Sequence, residues 1–149
     1  MIGIYKITNK INNKIYIGQS IDITRRWWEH KHDDNHNSLI HLAIKKYGEE
    51  NFTFEIIEEC NQNQLDEREQ YWIKTYNSFE EGYNLTRGGN SGFYYDIISI
   101  YKEYEKLQNI TQTAKVIGCS AGTVRKVIRF YGINHSEIQE NKPVEQIDT

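Results

Sequence analysis

The sequence of 149 residues contains only one proline and two cysteines. The cysteines, Cys60 and Cys119, are far apart and lack a metal-binding spacing, so we expect neither a disulfide scaffold nor a cysteine-based zinc site. No uncharged run approaches the roughly 18 residues of a membrane-spanning helix. Lysines in the strand-like N-terminus argue against a signal peptide. No phosphate-binding glycine loop with Lys and Ser/Thr is present. We therefore expect a globular cytoplasmic protein with no membrane segment and no nucleotide cofactor.

The sequence also lacks an overall excess of basic charge, because its formal net charge is -3. This total conceals an uneven distribution along the chain. Residues 1–46 and 94–134 are basic, with +4 and +3, whereas residues 47–93 carry -7 and residues 135–149 carry -3. Any surface that binds nucleic acid should come from the two basic segments, with the acidic segment turned away.

Three segments have the composition of β-strands. Residues 2–7 and 15–19 are rich in Ile and Tyr, and alternating Phe and Ile predict a third strand at residues 52–56. A two-residue turn at Asn12-Asn13 would join the first two strands, so that paired residue numbers sum to 25. The pairing would place six residues on one face of the sheet: Gly3, Tyr5, Ile7, Tyr16, Gly18 and Ser20.

Apolar residues at helical spacing predict three helices next to these strands. The first covers residues 22–32 and has Asp22 as its N-cap. The second covers residues 38–47 and ends at Gly48. The third covers about residues 63–76, and its apolar stripe contains one carboxylate: Leu65, Glu69, Trp72, Ile73 and Tyr76.

Glu69 is the most unusual residue in this pattern, because a carboxylate on a core-facing stripe is costly unless something compensates its charge. A metal ion would do so, since hard cations prefer carboxylate oxygens. Alternatively, Glu69 flanks the stripe and forms a salt bridge with Arg26 or Arg68. Periodicity alone leaves both interpretations open.

Arg26 and His30 are four residues apart and share one face of the first helix. Together they can clamp a phosphate and transfer a proton, although an ordinary solvated helix face has the same pattern. Tyr5 and Tyr16 are likewise consistent with catalysis or with packing of the sheet. Three further histidines form no zinc-binding spacing and are weaker candidates: His32, His36 and His41.

Residues 82–92 contain four glycines, which indicate a loop and a domain boundary. Beyond it, apolar spacing predicts a helix from Ile97 to Leu107, a short helix over residues 111–117, and a third helix capped by Ser120. The inner face of the third helix is apolar: Val124, Val127, Ile128 and Tyr131. Its outer face is polar: Thr123, Arg125, Lys126 and Arg129. Residues 135–149 include the only proline and are expected to form a disordered tail.

Several short motifs follow one another along the first 90 residues. They are Gly3-Ile4-Tyr5, Tyr16-Ile17-Gly18, Arg26-Trp27 followed by His30, the segment Glu67 to Ile73 with Glu69 inside it, and Gly82-Tyr83-Asn84. In this order and spacing they resemble the GIY-YIG nuclease family, over about residues 1–90. All the key positions of that family are filled, so nothing in the sequence suggests an inactive enzyme.

The resemblance implies an α+β fold, in which helices flank a small three-stranded antiparallel sheet. It also implies hydrolysis of a DNA phosphodiester bond at a single divalent-metal site. In such a site Tyr5 would act as a phenolate base helped by His30, with its pKa lowered by nearby Arg26 and the metal. Arg26 would stabilise charge on the phosphate, and Tyr16 would hydrogen-bond a phosphate oxygen. His36 is a candidate for a further histidine of the family.

The same resemblance implies the metal and the tether of the site. Glu69 would hold Mg²⁺ or Mn²⁺, which stabilises the leaving 3′-oxygen. Asn84 would tether the site, and Gly3 and Gly18 belong to the motif that names the family.

The C-terminal segment resembles the helix-turn-helix modules that are appended to homing endonucleases. Thr123, Arg125, Lys126 and Arg129 would then contact bases and phosphates of a major groove. Alternatively, the segment is a helical hairpin that packs on the nuclease core or docks a protein. The predicted organisation is a nuclease domain, a linker, a helix-turn-helix module and a disordered tail: residues 1–90, 91–95, 96–134 and 135–149.

The sequence therefore predicts a metal-dependent endonuclease that is directed to its site by the C-terminal module, as in homing endonucleases. The partner is double-stranded DNA, bound by a monomer or a DNA-induced dimer, in the cytoplasm of a bacterial or viral host cell. The alternatives are a restriction or repair nuclease of the same family, and a DNA-binding regulator whose nuclease fold no longer cuts.

Overall fold

The chain is described here by a computed structural model that covers residues 1–32, 38–89 and 95–139. It divides into two compact units, Met1–Asp96 and Ile97–Thr149. The predicted linker lies almost wholly outside the described residues. Within the described ranges, no helix has the length and apolarity needed to cross a membrane.

The N-terminal unit consists of a three-stranded sheet and three α-helices. β1 (Gly3–Asn9) lies in the middle of the sheet, and it pairs antiparallel with β2 (Ile15–Ser20) on one side and β3 (Phe52–Glu59) on the other. The helices are α1 (Ile23–His32), α2 (Leu39–Tyr47) and α3 (Leu65–Tyr76). The predicted α+β fold with a small antiparallel sheet is confirmed.

Local capping contacts explain where α1 and α2 begin and end. The Asp22 carboxylate accepts a hydrogen bond from the Arg25 N–H at 3.2 Å, as expected of an N-cap. Ser38 caps α2 through the N–H of His41. Gly48 ends α2 with a φ of 89°, a left-handed conformation that glycine adopts without steric cost.

The pairing of β1 with β2 differs from the predicted register. Tyr5 lies opposite Gly18, so paired residue numbers sum to 23 rather than 25. The connecting loop is wider than two residues because Asn side chains satisfy its backbone: Asn9 accepts from the Ile11 N–H and Asn12 accepts from the Lys14 N–H. A shift of two residues leaves every side chain on its predicted face, because the period of a strand is two.

The two faces of the sheet carry different helices. Ile4 and Ile17 form a buried cluster with Leu65 and Ile73 of α3. Tyr5 alternates with Ile4 and therefore points to the opposite face, where α1 contacts β1, β2 and α2. β2 is an edge strand, so residues from both faces can meet along its outer side.

The C-terminal unit contains α4 (Ile97–Leu107), α5 (Ile110–Ile117) and α6 (Ala121–Gln139), each in contact with the other two. Gly118 ends α5 with a φ of 85°, and Ser120 accepts the Thr123 N–H at 3.1 Å. The tail predicted from residue 135 begins too early, because α6 continues through Gln139. Residues 140–149 lie outside the described part of the chain.

Candidate active site

Tyr5 is the centre of the predicted site. It lies in the middle of β1 with no exposed surface, and a 2.7 Å hydrogen bond joins its hydroxyl to Nε2 of buried His30 on α1. The ring occupies the space beside Gly18 on the neighbouring strand, where a Cβ atom would overlap its hydroxyl end. Gly3 has a comparable role toward β3, since a Cβ atom there would overlap the carbonyl of Glu58. Both motif glycines therefore permit close approaches.

Tyr16 completes a cluster of three rings. Its ring centroid lies 6.2 Å from that of Tyr5 and 5.5 Å from that of His30. The side chain of Arg26, one turn before His30 on α1, lines the same cavity as both phenols and is close enough to lower their pKa values. The structure thus brings together the two tyrosines, the arginine and the histidine that the motifs predicted.

Burial is the largest influence on the pKa values of the two phenols. Burial raises the pKa of Tyr5 well above its usual value, and the nearby Tyr16 raises it further, while the positive charge of Arg26 lowers it only in part. Burial also raises the pKa of Tyr16. Without a metal, burial therefore outweighs the favourable guanidinium of Arg26, and the expected phenolate role of Tyr5, which includes the effect of a bound metal, stays a prediction.

Glu69 reaches the site from α3. Its Oε1 accepts hydrogen bonds from the Gly89 N–H at 3.0 Å and from the Gln19 side chain at 3.2 Å. Burial raises the pKa of the carboxyl group more than these two donors lower it. The alternative salt bridge is not formed: Arg68 pairs with Glu58 at 2.8 Å, and Arg26 lies 3.6 Å from Glu29.

The side chain of Asn84 forms hydrogen bonds with the backbone at the outer edge of β2. Its Oδ1 accepts from the Ile17 N–H at 2.9 Å and from the Ser78 hydroxyl at 2.7 Å, and its Nδ2 donates to the Ile17 carbonyl at 2.8 Å. Ile17 lies between Tyr16 and Gly18, so these bonds hold the strand segment that carries both. The tethering role predicted for Asn84 would therefore be carried by hydrogen bonds to the backbone of β2.

One cavity of about 750 Å³ joins these groups. Five of the six predicted catalytic residues line it: Tyr5, Tyr16, Arg26, Glu69 and Asn84. His30 lies behind Tyr5 and bonds to its hydroxyl. Arginine and tyrosine are donors that bind a phosphate, and the Tyr5–His30 bond offers a path for a proton away from it.

Two more residues belong to this region, of which His41 was only a weak candidate from the sequence and Gln19 was not identified. His41 of α2 lines the cavity, and its ring centroid is 4.7 Å from that of His30. Gln19 contacts Glu69 directly. Alternation along β2 was the available signal for Gln19, since it lies two residues after core-facing Ile17 and therefore faces α3.

Among the other described side chains, that of His32 does not line the cavity. His32 is exposed and stacks on Trp28 with ring centroids 4.4 Å apart. His36 lies outside the described residues.

The predicted outer face of α6 needs correction. Thr123 and Lys126 are buried, with 1% and 6% of their surfaces exposed, whereas Arg125 and Arg129 are exposed. The covered face of the helix is wider than its four predicted apolar residues, because half-buried Phe130 lies on the flank shared with Thr123 and Lys126. The exposed basic surface of α6 therefore centres on Arg125 and Arg129.

Comparison with known proteins assigns the N-terminal part of the chain to a family. A family model described as the GIY-YIG catalytic domain matches residues 1–84. The chain belongs to the GIY-YIG endonuclease family, which confirms the resemblance seen in the motifs. Residues 97–149, which form the C-terminal unit, lie beyond the matched segment.

The chain is similar to Intron-associated endonuclease 1 of Enterobacteria phage T4, with 38% identity over 89 residues, or 56% of this chain and 36% of that protein. It is also similar to the solved catalytic domain of homing endonuclease I-TevI, with a TM-score of 0.52 and 35% identity, covering 58% of this chain and 99% of that chain. A mutant of that domain gives a TM-score of 0.54 at the same identity, covering 58% and 95%. The chain spans little more than a third of the length of the curated relatives that it matches.

Proposed function

We propose that this protein is a metal-dependent endonuclease that hydrolyses phosphodiester bonds in double-stranded DNA. The supporting observation is one cavity that is lined by Tyr5, Tyr16, Arg26 and Glu69, with the hydroxyl of Tyr5 bonded to His30. These groups supply phosphate recognition, a proton acceptor and a cation ligand, which are the parts that such a hydrolysis needs.

The hydrogen bond between Tyr5 and His30 gives the route by which the attacking water loses its proton. A phenol that stays protonated can accept a proton only while it passes its own proton on. The hydrogen bond to His30 Nε2 provides that exit, and neutral imidazole accepts protons at ordinary pH. The water oxygen then bonds to phosphorus, the bond from phosphorus to the 3′-oxygen breaks, and solvent protonates the leaving oxygen.

Arg26 and Tyr16 bind the phosphate whose charge grows during this step. A guanidinium presents two parallel N–H donors to two oxygens, and the protonated Tyr16 hydroxyl donates a further hydrogen bond. Both side chains already lie beside Tyr5, so they need little rearrangement when the phosphate gains charge.

Glu69 fits the role of ligand to Mg²⁺ or Mn²⁺. Two donors occupy its Oε1, and Oε2 accepts no hydrogen bond from any described residue. In the described part of the chain no three His, Cys, Asp or Glu residues cluster as a metal cage. Mg²⁺ is commonly held by one or two carboxylates, waters and phosphate oxygens. When bound, the ion would neutralise charge that develops on the leaving oxygen.

The C-terminal unit would direct the nuclease to its site, as in a homing endonuclease. Arg125 and Arg129 lie one turn apart on the exposed side of α6, which follows the short turn after α5. Residues 94–134 carry +3, whereas residues 47–93 carry -7. A basic helix after a tight turn suits contact with phosphates and bases of a major groove.

Nicking of supercoiled plasmid DNA tests the proposed activity. We expect nicking with Mg²⁺, no nicking with EDTA, and a large loss in Tyr5→Phe, which keeps the ring beside Gly18 but removes the hydroxyl. Nicking that persists in EDTA would refute the metal dependence. An unchanged rate in Tyr5→Phe would refute the proton path.

A further inference from the structure

Asp66 lies one turn before Glu69 on α3, and the same side chain contacts both carboxylates. Gln19 Nε2 donates to Asp66 Oδ1 at 2.8 Å and to Glu69 Oε1 at 3.2 Å. The two N–H groups of this amide are thus shared between two acids. Because both carboxylate oxygens contact one nitrogen, they lie within about 6 Å of each other, a separation that one hydrated cation can bridge.

The two carboxylates differ in exposure. Asp66 is exposed, whereas Glu69 is only partly accessible, and both line the cavity. The amide of Gln19 and the N–H of Gly89 both engage Oε1 of Glu69, which leaves Oε2 for a cation. A cation at Oε2 would keep several of its waters. Because Asp66 is exposed and lines the same cavity, its carboxylate is accessible to such waters.

We propose that Asp66 is a second carboxylate of the metal site, which binds the hydrated cation through one of its water molecules, and that Gln19 is the positioning residue that holds Asp66 and Glu69 together. This inference rests on the proposed metal-dependent function, since Glu69 is the direct ligand in both. Ligands of this outer kind orient the direct ligand and raise the affinity for the metal.

Mn²⁺ binding to the full chain without DNA, followed by electron paramagnetic resonance at about 0.15 M salt, tests the inference independently of cleavage. We expect Asp66→Asn to weaken binding about 3- to 10-fold, the size of a Coulombic contact with a divalent ion near 6 Å in a largely aqueous setting. The control is Glu67→Gln, which removes the same charge from the same helical turn. Glu67 is exposed, and we expect a change of less than about 2-fold because salt screens it.

A double-variant cycle tests the part played by Gln19. Gln19→Leu should weaken Mn²⁺ binding, and adding Asp66→Asn should cost less than it does alone, since the Gln19 amide holds Asp66 in position. Fully additive effects would overturn that linkage. Equal affinities for Asp66→Asn and Glu67→Gln would overturn the role of Asp66, provided that Glu69→Gln abolishes binding. If Glu69→Gln binds Mn²⁺ like the unaltered chain, the proposed metal site itself is wrong, and the proposed role of Asp66 is wrong as well.

Discussion

Replacement of Arg26 by lysine separates phosphate recognition from simple surface charge. Arg26 is half-buried and lines the same cavity as Tyr5 and Tyr16. Lysine keeps the positive charge but offers a single flexible ammonium in place of a planar fork. The substitution therefore removes directed hydrogen bonds while it preserves most of the Coulombic attraction.

The expected loss falls on the rate of cleavage. The donors matter most in the transition state, where the phosphate gains charge, so binding of DNA should change less than the chemical step. Removal of one such donor from a preorganised site typically costs about 10²- to 10³-fold in rate. We expect Arg26→Lys to lower the single-turnover rate by about 10²-fold or more.

Single-turnover cleavage at saturating protein measures this effect without interference from binding. Arg25 is the matched control, because it is the neighbouring residue on α1, is exposed, and points about 100° away. Arg25→Lys should leave the rate nearly unchanged. Equal rates for the two variants would show that Arg26 only contributes to a basic surface, and would refute its role at the phosphate.

Two further predictions concern DNA binding and stability. Replacing both Arg125 and Arg129 by alanine should weaken binding to DNA and lower the number of ions released on binding, measured from the salt dependence of the binding constant, by up to about two. Mg²⁺-dependent nicking at low salt should persist. An unchanged salt dependence would show that α6 does not contact DNA. Without metal, Glu69→Gln should raise the melting temperature at pH 7, because the raised pKa of Glu69 means that folding is penalised once the carboxylate is ionised. That penalty is absent below the unfolded-state pKa, so the two proteins should melt alike near pH 3, and a less stable variant at pH 7 would contradict the reasoning.

The faces of the sheet could be predicted from sequence, but its register could not. Alternation places Tyr5 and Gly18 on one face for any shift of two residues, which is why that prediction survived a wrong pairing. The shift itself comes from side chains in the loop. The side chains of Asn9 and Asn12 each accept a hydrogen bond from a backbone N–H in the loop. The prediction of a two-residue turn considers backbone conformation only and does not include such bonds.

The direction in which the pKa of Tyr5 shifts could not be predicted without the structure either. The motif places Arg26 near Tyr5, which favours a lowered pKa, but burial of Tyr5 is a tertiary property and dominates. His41 shows the same limit, because it lies among the apolar residues of α2 and meets His30 only when α1 and α2 pack together. On α6, the apolar spacing predicted the core at Val124 and Val127 but understated how far the covered surface extends.

In the proposed function, Glu69 holds the cation on which DNA cleavage depends. Glu69→Gln keeps the size and polarity of the side chain and removes the charge, and Glu67→Gln makes the same change at an exposed position of the same helix. Single-turnover cleavage with Mg²⁺, measured beside DNA binding, compares the two. We predict that Glu69→Gln still binds DNA but cleaves at least about 10³-fold more slowly, whereas Glu67→Gln cleaves like the unaltered protein. Near-normal Mg²⁺-dependent cleavage by Glu69→Gln would contradict the assignment of this site.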